Sequence, residues 1–220
     1  MKELYQHLNT FLTDGTVIGM GSGSTIEGYI PSARAYIEEN SLNIQFVPTS
    51  VKTEKALHDQ QLKVTFDTEE IDFTIDGANQ FTADLNAVKG GGGSLLREKQ
   101  IGYFSKHIII AAKKTKETPS FEGVKIPVEI NPFLMNLTKL EIMNYGTSLS
   151  DRMDGDTLFT SDNGNYIVDC TFEKIDDLNV LQNQMLNIPG VIETGIFNHY
   201  IKQVVSFDDN GITVYERSRP

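Results

Sequence analysis

Hydrophobic and polar positions in the first half of the chain follow two alternating patterns. Leu4, Leu8 and Phe11 recur at helical spacing and predict an amphipathic helix over residues 2–13. Short apolar runs between longer amphipathic segments predict strands that alternate with helices. These strands are expected at residues 16–20, 44–48, 62–66, 71–75 and 107–112. Because parallel strands need crossover connections, this alternation favours an α/β fold with a doubly wound, mostly parallel, Rossmann-like sheet.

The pattern changes after residues 113–123, a polar segment broken by proline. The order strand, helix, strand, strand, helix, strand is typical of a small ferredoxin-like α+β unit, although residues 147–159 fit no single element. The clearest elements are strands at 126–130, 166–172 and 191–197 and helices at 133–144 and 178–186.

A final hairpin over residues 203–217 turns at Asp209-Asn210-Gly211 and is expected to rejoin the first sheet. We therefore predict two domains. The larger, Rossmann-like domain comprises residues 1–124 and 200–220, and the smaller α+β domain comprises residues 125–199.

Polar segments follow three of the predicted parallel strands directly. They are the glycine loop at residues 19–25, Thr49-Ser50, and the stretch from Asp76 to Gln80. Ligands of open parallel sheets bind outside the carboxyl ends of the strands. We therefore expect these segments to gather at one edge and form a single site.

Four consecutive glycines, Gly90 to Gly93, lie between Lys89 and a helical segment. Glycine costs backbone entropy, so the run indicates that missing Cβ atoms are needed. Backbone N–H groups, the positive end of a helix and an ammonium would meet there, which suits an anion or a developing oxyanion. Glu98, one turn into the helix, leans back toward this place, so the run predicts a proton-transfer site. A flexible linker is the alternative interpretation.

The glycine loop at residues 19–25 lies where a phosphate loop is expected, between a strand and a helix. It lacks the G-x-G-x-x-G spacing and the lysine of a nucleotide P-loop, which argues against dinucleotide or ATP binding. Hydroxyl groups and open amides suit a small phosphate monoester, and a structural tight turn is the alternative. Ser24 to Glu27 fit a capping box that opens the next helix.

Asp76 ends a strand at the expected ligand edge, where a carboxylate is usually catalytic, metal-binding or a helix cap. The four histidines are scattered without ligand spacing, so we predict no metal site. Cys170 is the only cysteine and lies in an apolar run, which favours a buried strand residue over a catalytic thiol.

Composition narrows the possible partners. The net charge of -11 argues against nucleic acid or an anionic membrane as a main partner, but not against a small phosphorylated substrate. The chain shows no signal-peptide pattern and no apolar run near ~20 residues. A soluble, cytoplasmic protein is the expectation.

Six segments together resemble the A-type ribose-5-phosphate isomerase family over nearly the whole chain. The glycine-run motif from Lys89 to Lys99 is the most specific, and all six occur in the family's order. The other segments are Gly19–Thr25, Thr49-Ser50, Asp76–Gln80, Asp162–Asp169 and Ile188–Phe197.

The resemblance implies interconversion of ribose 5-phosphate and ribulose 5-phosphate through an enediolate, in the non-oxidative pentose phosphate pathway and without metal or organic cofactor. It implies that Glu98 is the general base and that Lys89, with amides of the glycine run, stabilises the negative oxygen. Asp76 would assist ring opening or proton exchange on the oxygens. A homodimer or homotetramer is expected, with the smaller domain at the interface. The implied substrate- and phosphate-binding residues are Gly21, Ser22, Gly23, Ser24, Thr25, Asp76, Gly77, Ala78, Asn79, Lys89, Gly90, Gly91, Gly92 and Lys125.

The sequence departs from the family where the pattern D-G-A-D-E is replaced by Asp76-Gly77-Ala78-Asn79-Gln80. Asn79, a candidate catalytic residue by position, can bond a sugar hydroxyl but cannot take up a proton at neutral pH. If the family's acid relays a proton, turnover should fall; if it only positions a hydroxyl, turnover should survive. The alternatives are a weakened relative that senses a sugar phosphate, or an isomerase of another sugar phosphate. Either Lys2 or Lys125 could supply a phosphate contact.

Overall fold

The structure is a computed structural model that describes residues 1–145 and 147–216. Its helices are α1 Lys2–Asn9, α2 Ser24–Glu39, α3 Val51–Asp59, α4 Leu95–Phe104, α5 Met135–Met143 and α6 Leu178–Leu186. The strands of the first half are β1 Val17–Met20, β2 Gln45–Pro48, β3 Lys63–Val64, β4 Phe73–Asp76, β5 Gln80–Phe81, β6 Ala87–Val88 and β7 Ile108–Lys113. Those of the second half are β8 Lys125–Ile130, β9 Thr147–Asp151, β10 Met153–Asp154, β11 Thr157–Leu158, β12 Tyr166–Phe172, β13 Val191–Thr194, β14 Ile196–Phe197, β15 Ile201–Asp208 and β16 Gly211–Glu216.

A seven-stranded sheet runs in the order β16-β15-β7-β4-β1-β2-β3. All neighbours are parallel except β15 and β16, which form the antiparallel hairpin at the chain's end. This confirms the mostly parallel α/β sheet and the return of the last hairpin to it. β7 lies inside the sheet, between β15 and β4, and is buried from Ile108 to Ala112, as expected for a continuous apolar run.

A separate four-stranded antiparallel sheet has the order β13-β8-β12-β9, with α5 and α6 in the connections. This is the ferredoxin-like arrangement expected from the sequence, and it confirms that part of the fold prediction. Its core is built around the alternating apolar residues Val128, Val168 and Cys170. A three-stranded sheet, β14-β6-β5, continues from β13 and holds the chain just before Lys89.

Two local expectations were wrong, and two short strands were not predicted. The first helix ends at Asn9, because the N–H groups of Thr10, Phe11 and Leu12 bond carbonyls three residues back and tighten the chain. Strands β5 and β6 have two residues each, too few for a periodic signal. The strand expected at 191–197 divides at Gly195 between two sheets, because β13 pairs with β8 and β14 pairs with β6. Glycine is required at the division, since a Cβ there would lie 2.4 Å from the Lys89 carbonyl oxygen.

Across the residues described, no helix is both long enough and apolar enough to span a bilayer. Residue 217, the last of the predicted hairpin, lies outside the described residues.

Candidate active site

A cavity of about 460 Å³ opens at the carboxyl edge of the seven-stranded sheet. We call it the central cavity. It gathers the glycine loop, the segment after β4 and the glycine run, as the sequence predicts. Its lining residues are Ser22, Gly23, Ser24, Thr25, Gly77, Ala78, Asn79, Gln80, Lys89, Gly90, Gly91, Gly92, Glu98, Lys116, Val124 and Lys125.

Two predicted residues, Gly21 and Asp76, lie behind this wall rather than in it. A Cβ on Gly21 would be 2.1 Å from Asp76 Oδ1, so glycine is needed for the close approach of β1 to β4. Thr49 and Ser50 are buried and support the wall instead of lining it. Ser50 caps α3 by accepting from Thr53 N at 3.0 Å, and Thr53 in turn donates to the Gly21 carbonyl.

Lys89, Asp76 and Glu98 form a buried ionic cluster at the base of the central cavity. Lys89 Nζ lies 2.8 Å from Asp76 Oδ2 and 3.2 Å from Glu98 Oε2. Each residue is at most 4% exposed. Ser22 Oγ donates to Glu98 Oε1 at 2.6 Å, so that hydroxyl and ammonium hold the two carboxylate oxygens from different sides. Among the three, Lys89 and Glu98 reach the cavity wall.

The electrostatics of the cluster follow from its burial. The pKa of Asp76 is raised to about 7: burial raises it most, the Glu98 carboxylate also raises it, and Lys89 opposes both effects. Burial alone would lower the pKa of Lys89, but Asp76 and Glu98 together bring its pKa above the ordinary lysine value. Lys89 therefore remains an ammonium at neutral pH, while Asp76 can exchange a proton there.

The small sheet fixes the orientation of α4, which carries Glu98. Arg97 Nε donates to Asn163 Oδ1 at 2.9 Å, in the turn before β12. Lys99 is buried and donates to Glu193 Oε1 at 2.7 Å, in β13. The two residues that flank Glu98 are thus attached to the second sheet, while Glu98 itself points to the cavity. The helical pattern alone gave no sign of these attachments.

The glycine run is a packed part of the site, so the linker interpretation is wrong. Gly91 N donates to Asn79 Oδ1 at 3.1 Å, and Arg152 donates to the carbonyl oxygens of Gly90 and Gly91. A Cβ on Gly91 would lie 2.4 Å from Asn79 Nδ2, and one on Gly93 would lie 2.3 Å from the Phe159 ring. Glycine is required where these side chains approach the backbone.

The glycine loop leads directly into α2. Gly23, with φ +92°, is the N-cap and no side chain caps the helix, so the predicted capping box at Ser24 is wrong. Ser24 is instead the first helical residue, and it lines the cavity with Thr25. Open N–H groups and hydroxyls at a helix N-terminus suit a phosphate.

Two further lysines line the central cavity. Lys116, which sequence reasoning missed, lies in a 3₁₀ turn just after β7 and donates to the Ala78 carbonyl. Burial lowers its pKa, and the charges of Lys89 and Lys113 lower it further. The sequence signal that could have identified Lys116 was its position shortly after a predicted central strand. Lys125 is exposed and lines the cavity as expected, whereas Lys2 does not reach it.

Among the described residues, no group of three or more His, Cys, Asp or Glu side chains is arranged to hold a metal ion. Cys170 is buried in β12, as the strand interpretation expected, and burial raises the pKa of its thiol to about 12. A thiol with such a pKa is a poor nucleophile.

Comparison with known proteins places these features in context. Residues 45–211 match the family described as ribose 5-phosphate isomerase A (phosphoriboisomerase A). A protein of Oceanobacillus iheyensis named ribose-5-phosphate isomerase A 2 is 35% identical over 94% of this chain and 93% of its own length. The ribose-5-phosphate isomerase A of Thermoplasma volcanium is 37% identical over 94% of this chain and 87% of its own.

Solved structures agree with these relatives. The ribose 5-phosphate isomerase A of Methanocaldococcus jannaschii superposes with a TM-score of 0.92 at 27% identity, covering 98% of this chain and 97% of its own. A D-ribose-5-phosphate isomerase in complex with phospho-erythronic acid superposes with a TM-score of 0.93 at 28% identity, with the same coverage.

Proposed function

This chain belongs to the ribose 5-phosphate isomerase A family, and we propose that the central cavity is where it interconverts ribose 5-phosphate and ribulose 5-phosphate. The reaction is an aldose–ketose isomerisation of the non-oxidative pentose phosphate pathway. The observation that carries the assignment of the site is the buried cluster of Lys89, Asp76 and Glu98 opening onto a cavity lined by lysines and helix-terminal amides.

Glu98 is the general base. In the open-chain aldose, its carboxylate removes the proton from C2, and the electron pair forms the C1–C2 double bond while O1 takes up negative charge. A proton then passes from O2 to O1, Glu98 returns its proton to C1, and the carbonyl forms between C2 and O2. The hydrogen bond from Ser22 at 2.6 Å fixes the carboxylate that performs both transfers.

Lys89 stabilises the negative oxygen of the enediolate. Its ammonium is already desolvated and already held by Asp76, so little reorganisation is needed as charge develops. Asp76, with a pKa of about 7, exchanges protons with the sugar oxygens through Lys89 or during ring opening.

The phosphate binds at the N-terminus of α2. Supporting features are the open helix end with Ser24 and Thr25, and the two lysines, Lys116 and Lys125, which line the same cavity. In this proposal the phosphate contacts Ser24 and Thr25, and the sugar end lies beside Glu98 and Lys89. The relative bound to phospho-erythronic acid supports a sugar-phosphate ligand.

The proposed assembly and location go further than the site. We propose a homodimer or homotetramer formed through residues 125–199 as the smaller domain, and support comes from large apolar side chains exposed on and beside α5. These are Phe133, Leu134, Leu137, Leu140 and Met143. A cytoplasmic location remains a prediction from composition.

The direct test is turnover of ribose 5-phosphate by the purified chain with EDTA present, beside other pentose and hexose phosphates. We expect robust turnover, with ribose 5-phosphate preferred. Preference for another sugar phosphate would favour the second enzyme interpretation. Absence of turnover with intact sugar-phosphate binding would favour a sensor, which the neutral side chains of Asn79 and Gln80 would then explain.

A further inference from the structure

An arginine outside the central cavity holds the glycine run. Arg152 directly follows β9 and does not line the cavity. Its Nη1 donates to the carbonyl oxygen of Gly90 at 2.5 Å and to that of Gly91 at 3.3 Å. The same guanidinium binds the Asp169 carboxylate in β12 through Nε and Nη2. Only 14% of the Arg152 side chain and 16% of the Asp169 side chain are exposed, so the low local dielectric strengthens these bonds.

The backbone of Arg152 is itself fixed. Its N–H donates to the Ile167 carbonyl at 2.9 Å, and its carbonyl oxygen accepts from Phe159 N at 2.9 Å. The Phe159 ring packs against Gly93, where a Cβ would lie 2.3 Å from it. The segment that carries Arg152 therefore contacts the glycine run at both of its ends.

Arg152 orients two peptide groups of the run. A trans peptide directs its N–H group away from its carbonyl oxygen. The carbonyl oxygens of Gly90 and Gly91 face Arg152, so the N–H groups of Gly91 and Gly92 point to the opposite side. Gly91 N donates at 3.1 Å to Asn79 Oδ1, and Asn79 lines the central cavity. Gly92 also lines the cavity, and no acceptor among the described residues binds its N–H group.

We propose that Arg152 is a positioning residue for the isomerisation. It fixes the glycine run so that Gly92 N–H can donate to the substrate oxygen on which negative charge develops. The planar fork of arginine can bind a carboxylate and carbonyl oxygens at the same time, which a lysine ammonium cannot do in the same geometry. The Asp169 charge offsets that of Arg152, so the arginine acts through geometry and not through added positive charge. The proposal rests on the proposed function.

A purely structural ion pair within the antiparallel sheet is the alternative, and two substitutions separate the roles. Arg152→Met removes both the charge and the fork, whereas Arg152→Lys keeps the charge beside Asp169 and loses the fork. Lys139→Met is the matched control. Lys139 forms a similar, partly buried ion pair with Asp151 at 3.0 Å and, among the described residues, has no bond to the glycine run. Steady-state kinetics, inhibition by inorganic phosphate and thermal unfolding would be measured for each variant.

We expect Arg152→Met and Arg152→Lys each to lower kcat roughly 10- to 100-fold, because a shift of about 1 Å in a positioned group can cost that much. KM and the inhibition constant of phosphate should change less than about threefold, since the phosphate end is untouched. Arg152→Lys should unfold near the wild-type temperature, and Lys139→Met should keep the wild-type kcat.

A wild-type kcat in Arg152→Lys would overturn the proposal, because a charge pair alone would then be sufficient. An equal loss of kcat in Lys139→Met would also overturn it. Arg152→Met leaves the Asp169 carboxylate without its cation, so Arg152→Lys decides the test if the methionine variant does not fold.

Amide hydrogen exchange at Gly91 separates this proposal from the proposed function. The bond from Gly91 N to Asn79 depends on the position of the run, so exchange should be faster in Arg152→Lys than in wild type, whether or not the chain turns over substrate. Wild-type turnover with unchanged exchange and kcat in Arg152→Lys would overturn only the role of Arg152. Absence of wild-type turnover would overturn the proposed catalysis, while faster exchange in the variant would still support the hold of Arg152 on the run.

Discussion

Two buried glutamates, Glu98 in α4 and Glu129 in the antiparallel sheet, differ in the groups that contact them. Glu98 contacts a buried ammonium, accepts from one hydroxyl and lines the central cavity. Glu129, in β8, is fully buried away from the cavity, and neutral groups bind its Oε1. These donors are Ser161 Oγ at 2.8 Å, Asn165 Nδ2 at 2.9 Å and Asn163 Nδ2 at 3.1 Å.

This contrast shows that burial alone does not identify a catalytic carboxylate. A buried carboxylate can act as a base on a ligand when a cavity reaches it and when a nearby cation stabilises the negative charge that develops on the ligand. Glu129 does not line the central cavity and pairs with no cation among the described residues, and its bonds instead hold the turn at residues 161–165. Through Asn163 and Arg97 that turn holds α4, so the structural glutamate supports the catalytic one.

The same substitution at Glu98 and at Glu129 tests most strongly whether the two carboxylates differ in role. Glu98→Gln should lower turnover roughly 10²- to 10⁴-fold, the usual contribution of general base catalysis. Glu129→Gln should lower it less than about tenfold. Steady-state kinetics on both variants, with circular dichroism to check folding, measures the contrast. Equal losses would show that the two carboxylates do not differ in role.

The ammonium of Lys89 contacts Glu98 and is the main difference between the surroundings of Glu98 and those of Glu129. Lys89→Met should lower turnover roughly 10²- to 10³-fold, as loss of an oxyanion donor does. It should also destabilise the fold by roughly 3–5 kcal/mol, because buried carboxylates lose their cation. Lys106→Met, which removes an exposed ion pair with Asp72, is the control and should change turnover less than about twofold. Similar turnover in both variants would contradict the oxyanion role.

The contact between α4 and the turn at residues 161–165 predicts a smaller effect on turnover. Asn163→Ala removes the acceptor of Arg97 Nε and one donor to Glu129, while Arg97 keeps its hydrogen bond to the Asp162 carbonyl. We expect turnover to fall up to about tenfold with little change in KM, since α4 shifts while the phosphate end stays. A change confined to KM would argue that the turn acts on binding instead of on Glu98.

Asp76 predicts a pH dependence of the free energy of unfolding. Its pKa is about 7 in the folded chain and 3.8 for an unperturbed aspartate. Between these two pH values, the folded state therefore holds a proton on Asp76 that the unfolded state releases. Its contribution to stability is therefore present below pH 3.8 and is lost as pH rises to about 7. Asp76→Asn should remove this loss, which denaturant unfolding of both proteins at pH 5 and pH 8 can measure. An equal pH dependence in both would contradict the raised pKa.

The sequence was sufficient for the fold class and for most of the cavity, for identifiable reasons. Strands and helices alternate, and each ligand segment directly follows a strand, so topology brings the segments together. The attachments of Arg97 and Lys99 could not be predicted, because their partners lie more than sixty residues away in a different sheet. Lys116 could not be separated from its neighbours Lys113 and Lys114, since the backbone turn after β7 decides which of them faces the cavity.

The most direct test of Glu98 as the base follows the hydrogen that it moves. Ribose 5-phosphate deuterated at C2 would be incubated with wild type and with Glu98→Gln, and loss of deuterium from C2 would be followed by NMR. Wild type should remove the deuterium during turnover. Glu98→Gln should remove it at least about 100-fold more slowly while still binding the sugar phosphate. Loss of deuterium at the wild-type rate in Glu98→Gln would contradict the account.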